Sequence, residues 1–244
     1  MSDAKLAIVT GAARGIGAAV SHRLARDGFV VMAVDRDHGA ALSDMAQAMS
    51  AAAGHCLAVQ GDIADPNLFP ALFDRAESLY GGVDVLVNNA GIMVKKPMAD
   101  IDDEEFDRQI AVNLKGSFNG LREAARRMRN GGRIVSLSSS VAAMRAETYS
   151  IYAATKAGIE TMTAILAKEL RGRSITVNAI APGATATDLF LTGKSEEAIA
   201  AFARLAPLER IGTPDEIAAA IAFLVGPEGG WINGQTIHAN GGVI

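Results

Sequence analysis

Residues 6–20 read LAIVTGAARGIGAAV, and this stretch decides the architecture of the whole chain. Leu6–Thr10 is a short apolar, β-branched run bounded by glycine, which predicts a strand buried on both faces. Ile16–Asp27 returns to the spacing of an amphipathic helix. Between them stand Gly11, Gly15 and Gly17, in the order G-x-x-x-G-x-G. Glycines at a strand-to-helix turn allow tight backbone geometry and let a phosphate approach the positive end of the helix. The spacing departs from G-x-G-x-x-G, and many such turns merely close a βαβ unit.

Working outward, the same alternation repeats. Strands are predicted at Phe29–Asp35, His55–Gln60, Val83–Asn88, Arg133–Ser138, Ile175–Ile180 and Gln235–Ala239. Helical patterns fill the intervals at Gly39–Ala52, Asn67–Tyr80, Asp103–Arg129, Tyr149–Arg171 and Pro214–Leu224. Seven strands separated by helices predict one doubly wound α/β (Rossmann) domain over residues 1–244, a seven-stranded parallel sheet with helices on both faces. Such a sheet binds ligands beyond the carboxyl ends of its strands. The long strand-free segment at about 184–213, with a polar helical piece at Ser195–Leu205, is read as a substrate-side lid.

Composition narrows the function classes. The net charge is −4, so the basic face needed for nucleic acid is not evident. The longest apolar run, Ile217 to Gly226, falls well short of the ~20 residues of a membrane span. Cys56 is the single cysteine, read as a small buried hydrophobe, and the start MSDAK leads straight into a strand. Together these predict a cytoplasmic setting. The four histidines and one cysteine show no ligand spacing, so no metal is expected.

The strand ends carry the candidate ligand site. Asp35 ends the second strand, where a carboxylate can accept hydrogen bonds from an adenosine ribose. About 4 Å from a 2′-phosphate it would repel by up to ~4 kcal/mol per charge at an effective dielectric near 20. Arg14 and Arg36 flank the same spot and are able to neutralise a phosphate, or Arg36 to stack on adenine. NAD(H) is therefore favoured, with NADP(H) as the alternative. Asp62 and Ile63 suit an adenine edge, and Asn89, Ala90 and Gly91 let a backbone meet a flat ligand. Tyr152 and Lys156 stand i,i+4 on a predicted helix, where a cation beside a phenol pulls its pKa down and poises it for proton transfer. Tyr149 lies on the same side, two turns from the lysine.

TGAARGIG, NNAG, Asn113 in AVNLKGS, the run Ser138-Ser139-Ser140, YAATK and APG occur in this order. Together they resemble the short-chain dehydrogenase/reductase family over essentially the whole chain, most closely its 3-oxoacyl-(acyl-carrier-protein) reductases and small ketone or alcohol dehydrogenases. The resemblance implies a tetrad. Tyr152 would be the general acid–base, and Lys156 would lower its pKa and bind nicotinamide ribose. Ser139 would hold the substrate oxygen, with Ser138 and Ser140 as the alternatives. Asn113 would hold a water or a backbone kink on a proton path. Pro182 and Gly183 would follow the sixth strand, Thr185 would meet the carboxamide through its main chain, and Thr187 would reach the pyrophosphate.

The implied activity is interconversion of a ketone and a secondary alcohol with NAD(P). A 3-oxoacyl-thioester reductase using NADPH is the alternative, and a non-catalytic dinucleotide-binding regulator or an epimerase are the remoter readings. A small carbonyl or alcohol substrate and a homotetramer are expected. The cluster Arg122, Arg126, Arg127, Arg129 is read as a solvated face or subunit contact before a docking site for an acidic carrier protein.

Overall fold

The computed structural model describes residues 5–37, 39–51 and 55–244. Its strands are β1 (Leu6–Thr10), β2 (Val30–Asp35), β3 (His55–Gln60), β4 (Val85–Asn88), β5 (Arg133–Leu137), β6 (Thr176–Pro182) and β7 (Thr236–Ala239). The order across the sheet is 3-2-1-4-5-6-7, and every pairing is parallel. The expected doubly wound sheet is therefore what forms. The chain order reverses beside β1, between β2 and β4, which is where a ligand crevice opens in such sheets.

Helices flank both faces: α1 (Gly15–Arg26), α2 (Gly39–Ala51), α3 (Leu68–Tyr80), α4 (Asp103–Gln109), α5 (Ser117–Arg127), α6 (Val141–Met144), α7 (Ser150–Glu169), α8 (Asp188–Leu191), α9 (Glu196–Leu205) and α10 (Pro214–Val225). The expected end of α2 at Ala52 lies outside the described residues. Successive side chains of β1 point to opposite faces, and two cores result. Leu6 and Ile8 join Met32, Phe69, Phe73 and Leu121 on one side, while Ala7 and Val9 join Leu24, Val31, Ile217 and Ile221 on the other. Phe69 and Phe73 are fully buried, and each contributes roughly 1.5–3 kcal/mol of transfer free energy.

The largest departure concerns the single helix expected over Asp103–Arg129. A π-helical stretch, Ile110–Gly116, interrupts it between α4 and α5. Periodicity over a long window hides one such wide turn, because the apolar spacing resumes beyond it. Asp102 opens α4 with a capping box closed by Glu105, and Thr213 does the same for α10 with Glu216. The second box also marks the end of the segment 184–213 that the sequence suggests as a lid.

Candidate active site

The carboxyl ends of β1 to β4 enclose a cleft of about 220 Å³. Gly11, Arg14, Gly15, Ile16, Asp35, Arg36, Asp62, Ile63, Asn89, Ala90, Gly91 and Thr187 all line it. The turn beneath is held by Thr10, whose Oγ1 accepts from the main-chain N–H of Asn89 at 3.0 Å and of Ala90 at 3.1 Å. The Asn89 side chain returns the link, donating to Thr10 O at 2.8 Å and Gly11 O at 3.1 Å. Gly11 and Gly15 have φ of +63° and +54°, the left-handed region that favours glycine.

Gly17 is not part of this lining. A Cβ there would stand 2.0 Å from the Gly11 carbonyl oxygen, so the residue lets helix and turn pack. Arg14 occupies the N-cap of α1 in extended conformation, and no side chain caps the helix. Its first-turn N–H groups thus remain available to an anion.

The rim is acidic. Asp35 accepts from Ala13 N at 3.2 Å and from Asp37 N at 3.3 Å. Both arginines expected near a phosphate are engaged by carboxylates: Arg36 with Asp37 at 2.6 Å and Asp62 at 3.7 Å, Arg14 with Asp188 at 3.7 Å. These pairs are exposed and individually worth little, yet they set the charge that a ligand meets. Asp62 also accepts from Ala64 N at 2.9 Å.

A second cavity of about 200 Å³ adjoins the first. Ile16, Asn89, Gly91, Thr187 and Leu189 belong to both, so the two form one continuous cleft. Its far wall brings together Ser139, Tyr152, Lys156, Pro182, Gly183 and Thr185. The three serines separate by partner. Ser138 donates to Glu160 Oε1 at 2.5 Å, and Ser140 donates to Ala181 O at 3.3 Å. Ser139 is the one hydrogen-bonded to the Tyr152 phenol.

Lys156 sits with its Nζ 5.7 Å from the centre of the Tyr152 ring and donates to Leu137 O at 2.6 Å. The expectation of a phenol drawn down by this cation needs correcting. Burial pushes Tyr152 up to about 12, and the bond from Ser139 only partly offsets it. Burial also pushes Lys156 down to about 8. Desolvation disfavours both charged forms, and it outweighs their mutual influence across this distance.

Asn113 lines neither cavity. The π-helical turn aims it at the loop after β4, where Oδ1 accepts from Ile92 N at 2.8 Å and Nδ2 donates to Ile92 O at 2.9 Å and to Thr155 Oγ1 at 3.3 Å. A Cβ on Gly91 would lie 3.3 Å from Asn113 Oδ1 and 3.6 Å from Lys156 Nζ. The bare backbone there leaves amide and ammonium facing one spot.

The two ends of the segment 184–213 are joined by main-chain hydrogen bonds. Gly212 N donates to Ala184 O at 2.8 Å, and Ala186 N donates to Gly212 O at 2.9 Å. Thr185 donates to Gly183 O at 3.0 Å, while Thr187 caps α8 by accepting from Phe190 N at 3.3 Å. Phe190 and Phe202 meet edge to face with ring centres 5.2 Å apart, joining α8 to α9. Tyr149 stands at the N-cap of α7 with its ring centre 6.4 Å from that of Tyr152. Met93, Met144, Asn240 and Val243 complete the wall. Met93, Asn240 and Val243 lie in loops and Met144 ends the one-turn α6, so no periodicity marks them.

The basic cluster is consumed within the chain. Arg127 pairs with Asp74, Glu77 and Glu123, Arg129 with Asp84, and Arg126 with Glu123. Arg122 donates to Asn119 and lies over the Phe118 ring. Among the described residues no three His, Cys, Asp or Glu side chains gather as a metal site, and no helix is long and apolar enough to cross a membrane.

Residues 11–244 match the family model described as enoyl-(acyl carrier protein) reductase. A short-chain type dehydrogenase/reductase of Picea abies is 42% identical, covering 98% of this chain and 92% of its own. A chloroplastic NADPH-dependent aldehyde reductase-like protein of Arabidopsis thaliana is 38% identical over 98% and 94%. Among solved structures, a short-chain dehydrogenase from Burkholderia cenocepacia in complex with NADP superposes with a TM-score of 0.93, at 37% identity over 98% and 97%. An angucycline C-6 ketoreductase with bound NADP superposes with a TM-score of 0.92, at 31% identity over 98% and 95%.

Proposed function

The chain belongs to the short-chain dehydrogenase/reductase family, oxidoreductases acting on CH–OH and C=O with NAD(P), and on that premise we propose that it reduces a small ketone to a secondary alcohol using NADH. The convergence of Ser139, Tyr152 and Lys156 on a cleft continuous with the glycine turn carries this reading.

Three features of the chain suit the dinucleotide: the uncapped N-terminus of α1, the glycines beneath it, and the Asp35 carboxylate at the adenosine end. When bound, the nicotinamide supplies or takes the hydride. Gly15 and Ile16 main-chain groups would face the pyrophosphate, with Thr187 opposite. Asp62 and Ile63 would meet the adenine, and Asn89, Ala90 and Gly91 the inner ribose. Pro182, Gly183 and Thr185 would flank the nicotinamide.

The protein's part is proton transfer and charge placement. Tyr152 keeps its proton through the neutral range and donates it to the substrate oxygen as negative charge develops there. Ser139 donates a hydrogen bond to the same oxygen and holds its carbon at the hydride-accepting position. Lys156, still protonated at neutral pH, stabilises the phenolate left behind. Asn113 positions the loop after β4 and faces the spot from which Lys156 and Tyr152 regain a proton.

The relatives named for NADP(H) favour a second reading for the cofactor. Against it stand the three carboxylates paired with Arg14 and Arg36 (Asp37, Asp62 and Asp188), which a 2′-phosphate would have to displace. An acidic carrier protein as partner loses support, because the basic cluster is paired internally. Exposed Phe106, Phe118 and Ile165 on α4, α5 and α7 support a homotetramer, which light scattering tests. The decisive experiment replaces Tyr152 by Phe. Reduction of a ketone panel with NADH should fall by about 10²–10⁴-fold while NADH still binds. Retention of most of the rate would sink the scheme.

A further inference from the structure

The second cavity holds a polar group that proton transfer leaves unused. Tyr149 lines it together with Ser139 and Tyr152, and the residue is only 7% exposed. Its ring centre lies 6.4 Å from that of Tyr152, with the ring planes tilted by 56°. Among the described residues its hydroxyl has no hydrogen-bond partner, yet its oxygen is not sealed from open space. Lys95 stands 5.3 Å from the ring centre and makes no bond to that oxygen.

The other hydroxyls of the lining are engaged. Ser138 donates to Glu160 and Ser140 to Ala181 O, Thr185 donates to Gly183 O, and Thr187 caps α8. Ser139 and Tyr152 are bonded to each other. Arg210, also on this wall, meets Glu216 through both terminal nitrogens, at 2.8 and 2.5 Å. The Asn240 amide nitrogen lacks a partner but is closed off from open space. Apolar side chains supply much of the remaining wall, among them Met93, Met144, Phe190 and Phe202.

The backbone that delivers Tyr149 is constrained. Thr148, just before it, has a φ of +70°, a value a β-branched residue keeps only where its surroundings impose it. Lys96 N donates to Thr148 O at 3.0 Å, and Tyr149 follows as the N-cap of α7. The fold thus fixes where this phenol meets the cavity. Burial raises its pKa, so it carries its proton across the neutral range.

A wholly apolar ligand would strip water from the Tyr149 hydroxyl and return nothing, whereas a ligand oxygen facing it would accept its hydrogen. We infer that Tyr149 is a specificity-determining residue that selects carbonyl compounds with a second oxygen across a compact ring. Tyr152 and Ser139 take the reacting carbonyl while Tyr149 donates to the far oxygen. This deepens the ketone-reductase reading and rests on it. The 6.4 Å between the two phenol rings is comparable to the span of a six-membered ring bearing oxygens on opposite carbons. Cyclic diones and hydroxyketones form the class so defined, and analogues without the far oxygen are disfavoured because they leave the hydroxyl unpaired.

The test reads binding apart from turnover. Full-length protein is saturated with NAD+ or, in parallel, NADP+, neither of which can reduce a ketone. It is then titrated by calorimetry with 1,4-cyclohexanedione and with cyclohexanone, which differ only at the far carbon. The ratio of dione to cyclohexanone affinity should be at least about threefold higher in the wild type than in Tyr149→Phe, as one lost hydrogen bond requires. Unchanged dinucleotide affinity shows that the variant is folded. The wild type supplies an independent arm: 4-methylcyclohexanone, similar in size but apolar at its far end, should bind more weakly than the dione. Equal ratios in the two proteins, no saturable binding of the dione, or equal or tighter binding of 4-methylcyclohexanone would overturn the proposal. A ratio that falls in the variant while no ketone consumes NADH or NADPH would instead uphold the selective hydroxyl and remove the reductase reading beneath it.

Discussion

Lys156 reaches from the middle of α7 to donate its Nζ to the main-chain carbonyl of Leu137, 2.6 Å away at the end of β5. This bond ties the helix that carries Tyr152 to the strand that leads to Ser139, so the phenol and the hydroxyl are set by one link. It also places a buried cation where its charge depends on pH.

Burial holds Lys156 at about 8, while Tyr152 retains its proton to about 12. Below pH 8 the ammonium is intact, and above it the charge that stabilises a phenolate is lost. Reduction, followed as kcat/KM from roughly pH 6 to 10, should therefore be level on the acid side and decline above about 8. A decline centred in the acid range would contradict the assignment. Lys156→Met should lower the rate at every pH and abolish the limb.

Asp35 should set the choice between dinucleotides. Repulsion of a 2′-phosphate, after screening, amounts to tens- to hundreds-fold in specificity, roughly 2–3 kcal/mol. NADH should outperform NADPH by such a factor in kcat/KM measured in parallel. Asp35→Ser should narrow or invert the ratio by raising the NADPH value. An unchanged ratio would mean that another part of the rim discriminates.

Ser139 and Ser138 should behave differently although they adjoin. Ser139→Ala removes a donor aimed at the developing oxyanion and should reduce kcat by about 10²–10³-fold. Ser138→Ala breaks the bond to Glu160 and should chiefly cost stability, about 1 kcal/mol by urea denaturation. Similar kinetic losses in both variants would refute the distinction drawn from their partners.

Asn113→Leu should leave the main-chain N–H and carbonyl of Ile92 without their side-chain partner. Each buried group so orphaned costs about 1–3 kcal/mol. The loop after β4 also touches both cavities through Gly91, so dinucleotide affinity and thermal midpoint should fall together. Loss of turnover with neither change would assign Asn113 to proton transfer alone.

Much of this was readable in advance because parallel strands buried on both faces announce themselves as short apolar runs. β1 and β3 end where their apolar runs end, and the other strands begin or end within two residues of theirs. Glycine, Asp35 and the Tyr152–Lys156 spacing are local signals, so much of the lining of the two cavities was legible too. Tyr149, Met93 and Asn240 are harder to place at the wall of the second cavity. Their positions depend on loops whose paths follow tertiary contacts rather than periodicity. The ionisation of Tyr152 was misjudged for a related reason: spacing reveals a neighbouring charge, but not how completely the surrounding core excludes water.

The wide turn at Ile110–Gly116 takes up about one residue more per turn than a regular helix, so it lengthens the chain without changing its facing. In a regular helix each residue added or removed swings everything beyond it by about 100° around the axis. Deleting one residue from the wide turn would let a regular helix re-form with Leu121, Ala124 and Met128 still turned toward the sheet. The same deletion at the start of α5 would rotate them off it while charged neighbours turned inward.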